Sequence, residues 1–214
     1  MANFYKKSQL GRSMVEMLGV LAIIGVLSIG GIAAYNKAVE KHKINETIDE
    51  ITTIVQDIRT LANGRGYDFL YGDIKNLGII SENKIKKGKI INPFGGEIQL
   101  NATDGCVVGK CTSNGLFYIG LNKLSRNACI AIATHDWGDF SSGFVAVGAL
   151  TDFDDPAYHV ECFLLGESWS NISEDGFAYA CSKVPDETPM SMESAALGCS
   201  CGDDAVCAVE LSFY

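Results

Sequence analysis

Gly11-Arg12-Ser13-Met14-Val15-Glu16 stands directly before an apolar run, Met17 to Tyr35, and this junction decides how the chain is read. The run holds 19 residues without a formal charge, about what a helix needs to cross a hydrocarbon core of roughly 30 Å. Lys6, Lys7 and Arg12 lie on its N-terminal side, and basic flanks of this kind stay on the cytoplasmic face. A secretory signal carries its cleavage site after the apolar segment and loses both. Here the small residue, Gly11, comes first, so a cut after it removes a short polar leader and keeps the apolar helix. Glu16 has no place in a plain anchor, because a carboxylate at the bilayer centre costs about 2.5–3.5 kcal/mol.

Beyond Tyr35 the pattern changes without a breaker. Ile44, Ile48, Ile51, Val55, Ile58 and Ala62 recur at steps of four and three, with charged residues and threonines between them, which is one apolar face of a helix. Proline is absent before Pro93, and Asn63-Gly64-Arg65-Gly66 is a C-terminal stop. One helix from about Ser13 to Asn63 is therefore expected, about 75 Å long. Its first half is apolar on every side; its second half needs a surface to cover. Small residues (Gly19, Ala22, Gly25, Ser28, Gly30, Gly31, Ala33, Ala34) let copies of the first half approach closely. Gly25, Gly30 and Gly31 also weaken the helix locally.

Charge and cysteine follow the same polarity. From Asp104 onward 16 acidic residues face 4 basic ones, a net of −12, so the upstream part carries +3 of the total of −9. An acidic C-terminal half argues against nucleic acid as a partner and for a soluble, self-repelling surface. All 8 cysteines lie between Cys106 and Cys207, beyond the span. An even number confined to that side fits an oxidising compartment and a disulfide framework. Cys199-Ser200-Cys201 with Cys207 lacks the second Cys-x-x-Cys that a zinc spacing needs, so no metal is expected there.

The remaining chain reads as strands with short helices. A short helix is expected within Tyr67 to Leu77, and Ile80 to Lys89 is a polar, lysine-rich connection. Ile90 to Leu100 reads as strand, turn and strand about Asn92-Pro93-Phe94-Gly95-Gly96. Strands are expected at Gly115–Leu121, Phe144–Leu150, Val160–Leu165 and Phe177–Cys181, with the last two paired, and Val206–Phe213 alternates like a closing strand. Helices are expected at Leu124–Thr134, with Leu124, Ala128, Ala131 and Ile132 on its apolar side, and at Met190–Leu197. The expected class is α+β: a long N-terminal helix packed on a mainly antiparallel sheet with short helices, disulfide-bonded.

The glycine, the new N-terminal residue after it and a glutamate fifth from the cut together resemble the type IV prepilins, over roughly residues 8 to 36. The Asn-Pro-Phe-Gly-Gly segment, Asn92 to Gly96, is similar to one that precedes the sheet in the larger, type IVb-like members. The resemblance implies four regions: a cleaved leader at 1–11, the hydrophobic membrane and assembly half of the helix at 12–35, its amphipathic half at 36–63, and a periplasmic or extracellular pilin domain at 64–214. It implies a prepilin peptidase cutting between Gly11 and Arg12, and Glu16 pairing with the freed amine, beside which Arg12 adds a guanidinium. Mature pilins usually begin with an apolar residue, and Arg12 departs from that. The equivalent of Gly25, Gly30 and Gly31 can lose helicity in the filament. Of the roughly 100 pairings that eight cysteines allow, the resemblance implies Cys129 with Cys199, leaving Cys106–Cys111, Cys162–Cys181 and Cys201–Cys207 as local pairs. Partners are then copies of the chain itself, the peptidase, the inner-membrane assembly machinery and the membrane, with the precursor in the inner membrane and the product in an extracellular filament.

An enzyme needs a constellation that the chain lacks: there is no Gly-x-Ser-x-Gly, phosphate-binding glycine loop or paired-histidine metal motif. No catalysis and no cofactor are expected. His135-Asp136 and His159 with Glu161 read as surface or capping pairs, and Asp152-Phe153-Asp154-Asp155 before Pro156 as an acidic turn rather than a calcium loop. Asn171-Ile172-Ser173 matches a glycosylation triplet that is frequent by chance. Trp137 and Trp169 are candidates for adhesive contacts, although large aromatics usually sit in or beside a core. Two alternatives stand beside the pilus subunit. One is a minor pilin or a secretion-system pseudopilin, which the size and 8 cysteines disfavour. The other is a membrane-anchored periplasmic binding or thiol-redox protein, which a count of reactive thiols separates.

Overall fold

A computed structural model describes residues 14–64, 66–71, 77–107, 110–150, 169–172, 178–183, 189–201 and 207–214. One helix, α1 (Met14–Ala62), runs unbroken through the expected stretch. Asn63 and Gly64 end it at φ 43° and 76°, left-handed values that glycine takes freely and asparagine tolerates. The chain divides after Lys41 into two compact units.

In the larger unit the strands are β1 (Ile85–Lys86), β2 (Lys89–Ile91), β3 (Glu97–Val107), β4 (Lys110–Leu124), β5 (Phe144–Leu150), β6 (Trp169–Ile172), β7 (Ala178–Lys183) and β8 (Cys207–Phe213). They form one sheet of order β1-β2-β3-β4-β8-β5-β7-β6, with every described pair antiparallel. Two short helices interrupt the run of strands: α2 (Arg126–Ala133) comes between β4 and β5, and α3 (Met192–Gly198) between β7 and β8. Each starts on a serine side chain: Ser125 Oγ accepts from Ala128 N–H at 3.2 Å and Ser191 Oγ from Ser194 N–H at 3.1 Å, which satisfies a backbone donor the helix leaves open.

The core is contiguous. Ile51, Ile54, Val55, Ile58 and Ala62 of α1 share it with Ile119, Leu121, Val209, Leu211 and Phe213 of the sheet and Ala128, Cys129 and Ile132 of α2. Thr47 is fully buried in the same row; its hydroxyl donates to the carbonyl of Lys43 at 2.8 Å, so no polar group is orphaned. At the C-terminal end of α1 an aromatic cluster forms. Phe213 stacks on Phe117 at 5.5 Å and meets Phe144 edge-on, while Tyr67 lies 4.6 Å from Phe117. Arg59 caps it, its guanidinium 5.5 Å from the Phe213 ring.

Several expectations are corrected. Val206–Phe213 closes the chain but not the sheet: β8 lies between β4 and β5, and all seven of its residues are buried. Both faces are covered, for Glu210 and Ser212 are buried along with the apolar residues. Ala178–Cys181 of the expected Phe177–Cys181 strand falls on β7, which pairs with β5 and β6; Val160–Leu165 lies outside the described residues. The lysine-rich connection contains a small hairpin, β1–β2, turning at Lys87 and Gly88 with φ 51° and 84°. Of the expected helix in Tyr67–Leu77 only one turn, Asp68–Tyr71, falls among the described residues. On α2 the buried side is Ala128, Cys129, Ile132 and Ala133, whereas Ala131 is half-exposed.

Candidate functional site

The turn before β3 shows why Asn92-Pro93-Phe94-Gly95-Gly96 has its composition. Asn92 is buried, and its Oδ1 accepts from Phe94 N–H at 2.9 Å and Gly96 N–H at 3.0 Å. Its Nδ2 donates to the Asn122 carbonyl at 2.9 Å, and Asn122 Oδ1 accepts from Glu97 N–H at 2.6 Å. Gly95 sits at φ 86°, and a Cβ on Gly96 would collide with the Asn122 backbone. Two asparagines thus lock the β2–β3 turn onto β4. Asn122 has no counterpart in the short-range sequence signal, because its partners are about 25 residues away.

Beside this turn the connection is held to α1 by charge. Lys84 Nζ lies 2.9 Å from Glu50 Oε2 and 3.4 Å from Glu46 Oε1. Burial alone would lower the lysine pKa, but the two carboxylates outweigh it and the net shift is upward. Arg59 shows the opposite balance: desolvation lowers its pKa and the neighbouring Tyr67 and Tyr214 only partly offset that. Its Nε and Nη2 are buried without a hydrogen-bond partner among the described residues, so the Phe213 ring face is its main compensation.

Cysteine chemistry gathers where α2, α3 and β8 meet. Cys129 of α2 is bridged to Cys199, the residue after α3, with Cα atoms 5.9 Å apart; Cys201 is bridged to Cys207, the first residue of β8, at 5.5 Å. The first is the long bridge that the prepilin resemblance implies, and the second is one of the three local pairs left beside it. In the β3–β4 hairpin the backbone register sets Cys106 opposite Cys111. Cys181 falls on β7, and Cys162 lies outside the described residues. Nearby, Trp137 is half-buried: its Nε1 donates to the Ile132 carbonyl at 2.9 Å and His135 meets it edge-on at 4.7 Å. Asp136 accepts from Gly138 N–H within the same turn. The His135-Asp136 pair is therefore a structural corner. The Asp152–Asp155 segment, His159 and Glu161 lie outside the described residues, as does the Trp169 side chain.

The first part of α1 presents a different surface. From Met14 to Ala38 every residue is exposed, including thirteen large apolar side chains such as Met14 at 86%, Val26 at 72% and Ile29 at 72%. At about 1.5–3 kcal/mol for each side chain kept in water rather than buried, the penalty is on the order of 20 kcal/mol or more. Among the described residues this is the one helix long and apolar enough to cross a membrane. A Cβ added at Gly19, Gly25, Gly30 or Gly31 would meet nothing within 4 Å. Each glycine weakens the helix by about 1 kcal/mol relative to alanine, and no contact among the described residues requires it. Glu16 sits in the first turn, where the helix dipole favours a negative charge. Gly11 and Arg12 lie outside the described residues.

A helix like this needs either lipid or other helices, and the relatives supply the context. No family model matches the sequence. Over 145 residues the chain is 30% identical to the major structural subunit of bundle-forming pilus of Escherichia coli O127:H6 (strain E2348/69 / EPEC), covering 65% of this chain and 71% of that protein. The chain belongs to the type IV pilins. The counterpart from Escherichia coli O111:H- matches to the same extent. Toxin coregulated pilin of Vibrio cholerae is 24% identical over 167 residues, covering 73% of each chain. Both kinds of relative are type IVb pilins. The architecture agrees: a long apolar N-terminal helix, an antiparallel sheet and a disulfide across the C-terminal region are the pilin fold.

Proposed function

We propose that this pilin is a structural subunit of a type IV pilus filament, assembled through residues 12–35. The observation that carries this is the run of uniformly exposed apolar residues from Met14 on a chain whose larger unit already has a complete core of its own. In this account the precursor is anchored in the inner membrane with residues 1–11 in the cytoplasm. A prepilin peptidase cuts between Gly11 and Arg12, and the assembly machinery extracts the helix into a bundle of copies. The side chains that water penalises become the filament interior, and Gly25, Gly30 and Gly31 supply close approach and local give. No catalytic step belongs to the subunit.

Glu16 then passes from the membrane edge into that bundle. A buried carboxylate without a partner is strongly disfavoured, and cutting after Gly11 creates an amine four residues before it. Pairing with that amine, its own or a neighbour's, would fix the axial register of each incoming subunit, with Arg12 offering a second cation. Glu16→Ala should leave processing intact, seen as an unchanged mature mass, while filaments in sheared surface material become sparse by electron microscopy. Normal piliation in that variant would contradict the role. Arg12→Met filaments of unchanged stability would exclude the guanidinium.

A further inference from the structure

We propose that the two disulfides at the α2–α3–β8 junction are in exchange contact, so that the partly exposed Cys201–Cys207 pair is the port through which the buried Cys129–Cys199 bond is formed and remade. The Sγ atoms of Cys129, Cys199 and Cys207 lie within 4.8 Å of one another, although Cys207 belongs to the other bridge. Cys207 Sγ and Cys201 Sγ are 3.5 Å and 3.4 Å from the carbonyl oxygen of Cys199, and Cys129 Sγ is 3.7 Å from that of Ala208. Four sulfurs therefore share one cluster built from two short helices and the central strand.

Access is unequal. Cys129, Cys199 and Cys207 are 0% exposed, whereas Cys201 is only partly buried. Of these four described residues, Cys201 is the one that an external thiol or disulfide reagent meets, and access governs which sulfur is attacked. A dithiol attacks Cys201 Sγ, breaking the Cys201–Cys207 bond and releasing Cys207 as thiolate. The second thiol of the reagent then displaces Cys201, so the reagent is oxidised and the pair reduced by two electrons. Cys207 thiolate attacks Cys199 Sγ, a Cys199–Cys207 bond forms, and Cys129 departs as a thiolate that takes a proton from solvent. A disulfide-bearing oxidase acting at Cys201 runs the sequence in reverse. Burial disfavours the attacking thiolate, so exchange is slow and must be followed over time.

The test uses the purified full chain in detergent, with dithiothreitol as the dithiol in limiting amount. Samples are quenched in acid, unfolded, alkylated and cleaved at Asp203-Asp204, which separates Cys199 and Cys201 from Cys207. Label should appear first on Cys201 and Cys207 and then move from Cys207 to Cys129 as a Cys199–Cys207 bridge accumulates. Label confined to Cys201 and Cys207 throughout would overturn the proposal, and so would label appearing on Cys129 and Cys199 before Cys201. Cys201→Ser gives a second reading without reductant: its single new thiol should be shared among Cys207, Cys129 and Cys199, whereas label held on Cys207 alone contradicts exchange. Neither readout depends on filament formation.

Discussion

The two parts of α1 obey different rules although no break separates them. Between Thr47 and Ala62 the helix turns one side into the sheet, and residues such as Ile51 and Ile58 are wholly buried. Between Met14 and Ala38 no side is favoured, every residue is exposed, and four glycines weaken a helix that gains nothing for them among the described residues. The contrast separates the segment that stabilises the domain from the segment on which the proposed assembly rests. Substitutions in the second part should act on the folding of the domain, and those in the first on the association of copies.

The largest effects are expected in the domain. Removing the long bridge with Cys129→Ser and Cys199→Ser frees a loop spanning 70 residues, and the chain-entropy relation gives a loss of about 4 kcal/mol. The same change at Cys201 and Cys207, 6 residues apart, should cost about 2 kcal/mol. Denaturant unfolding of the chain in detergent measures both, and equal losses would remove the role of the long bridge. Next comes Ile58→Ala, expected to lower unfolding stability by about 2–5 kcal/mol, against a change within about 0.5 kcal/mol for Leu27→Ala. If Leu27→Ala unfolded the domain as much as Ile58→Ala, the division of α1 would be wrong.

Smaller effects sharpen the picture. Asn92→Ala removes an amide that bonds to three partners and leaves a buried turn unsatisfied, for a loss of about 1–3 kcal/mol, readable as a lower melting temperature. Least of all is the clamp of Lys84 on Glu46 and Glu50, in which the lysine and Glu46 are partly solvated, worth on the order of 0–1 kcal/mol. Because the lysine pKa is raised in the folded chain, its contribution is complete below the ordinary lysine pKa and disappears as pH rises through the folded value. Lys84→Met should therefore narrow its stability gap to wild type at strongly alkaline pH and in high salt; a gap independent of both would assign the effect to packing.

Local pattern carried the fold as far as contacts are local. The i, i+3, i+4 spacing from Ile44 to Ala62 and the Asn63-Gly64 stop define a helix that the structure reproduces within a residue or two. Ile54, absent from the expected row, was visible in the same spacing, three residues after Ile51 and four before Ile58. What escaped depends on distant partners. The central place of β8 is set by pairing with both β4 and β5, which alternation within seven residues cannot encode. Asn122 and the Arg59 cap over Phe213 are likewise fixed by residues remote in sequence. For the candidate site, apolarity and glycine content were legible because they are composition. The sulfur cluster was not, because it exists only where two helices and a strand converge.

The mass of the chain recovered from sheared surface filaments decides whether the apolar helix builds the filament. A subunit beginning at Arg12 and retaining residues 14–35 is the predicted result. A filament whose chain begins beyond Tyr35 would show that the exposed apolar helix is discarded, and would contradict assembly through it.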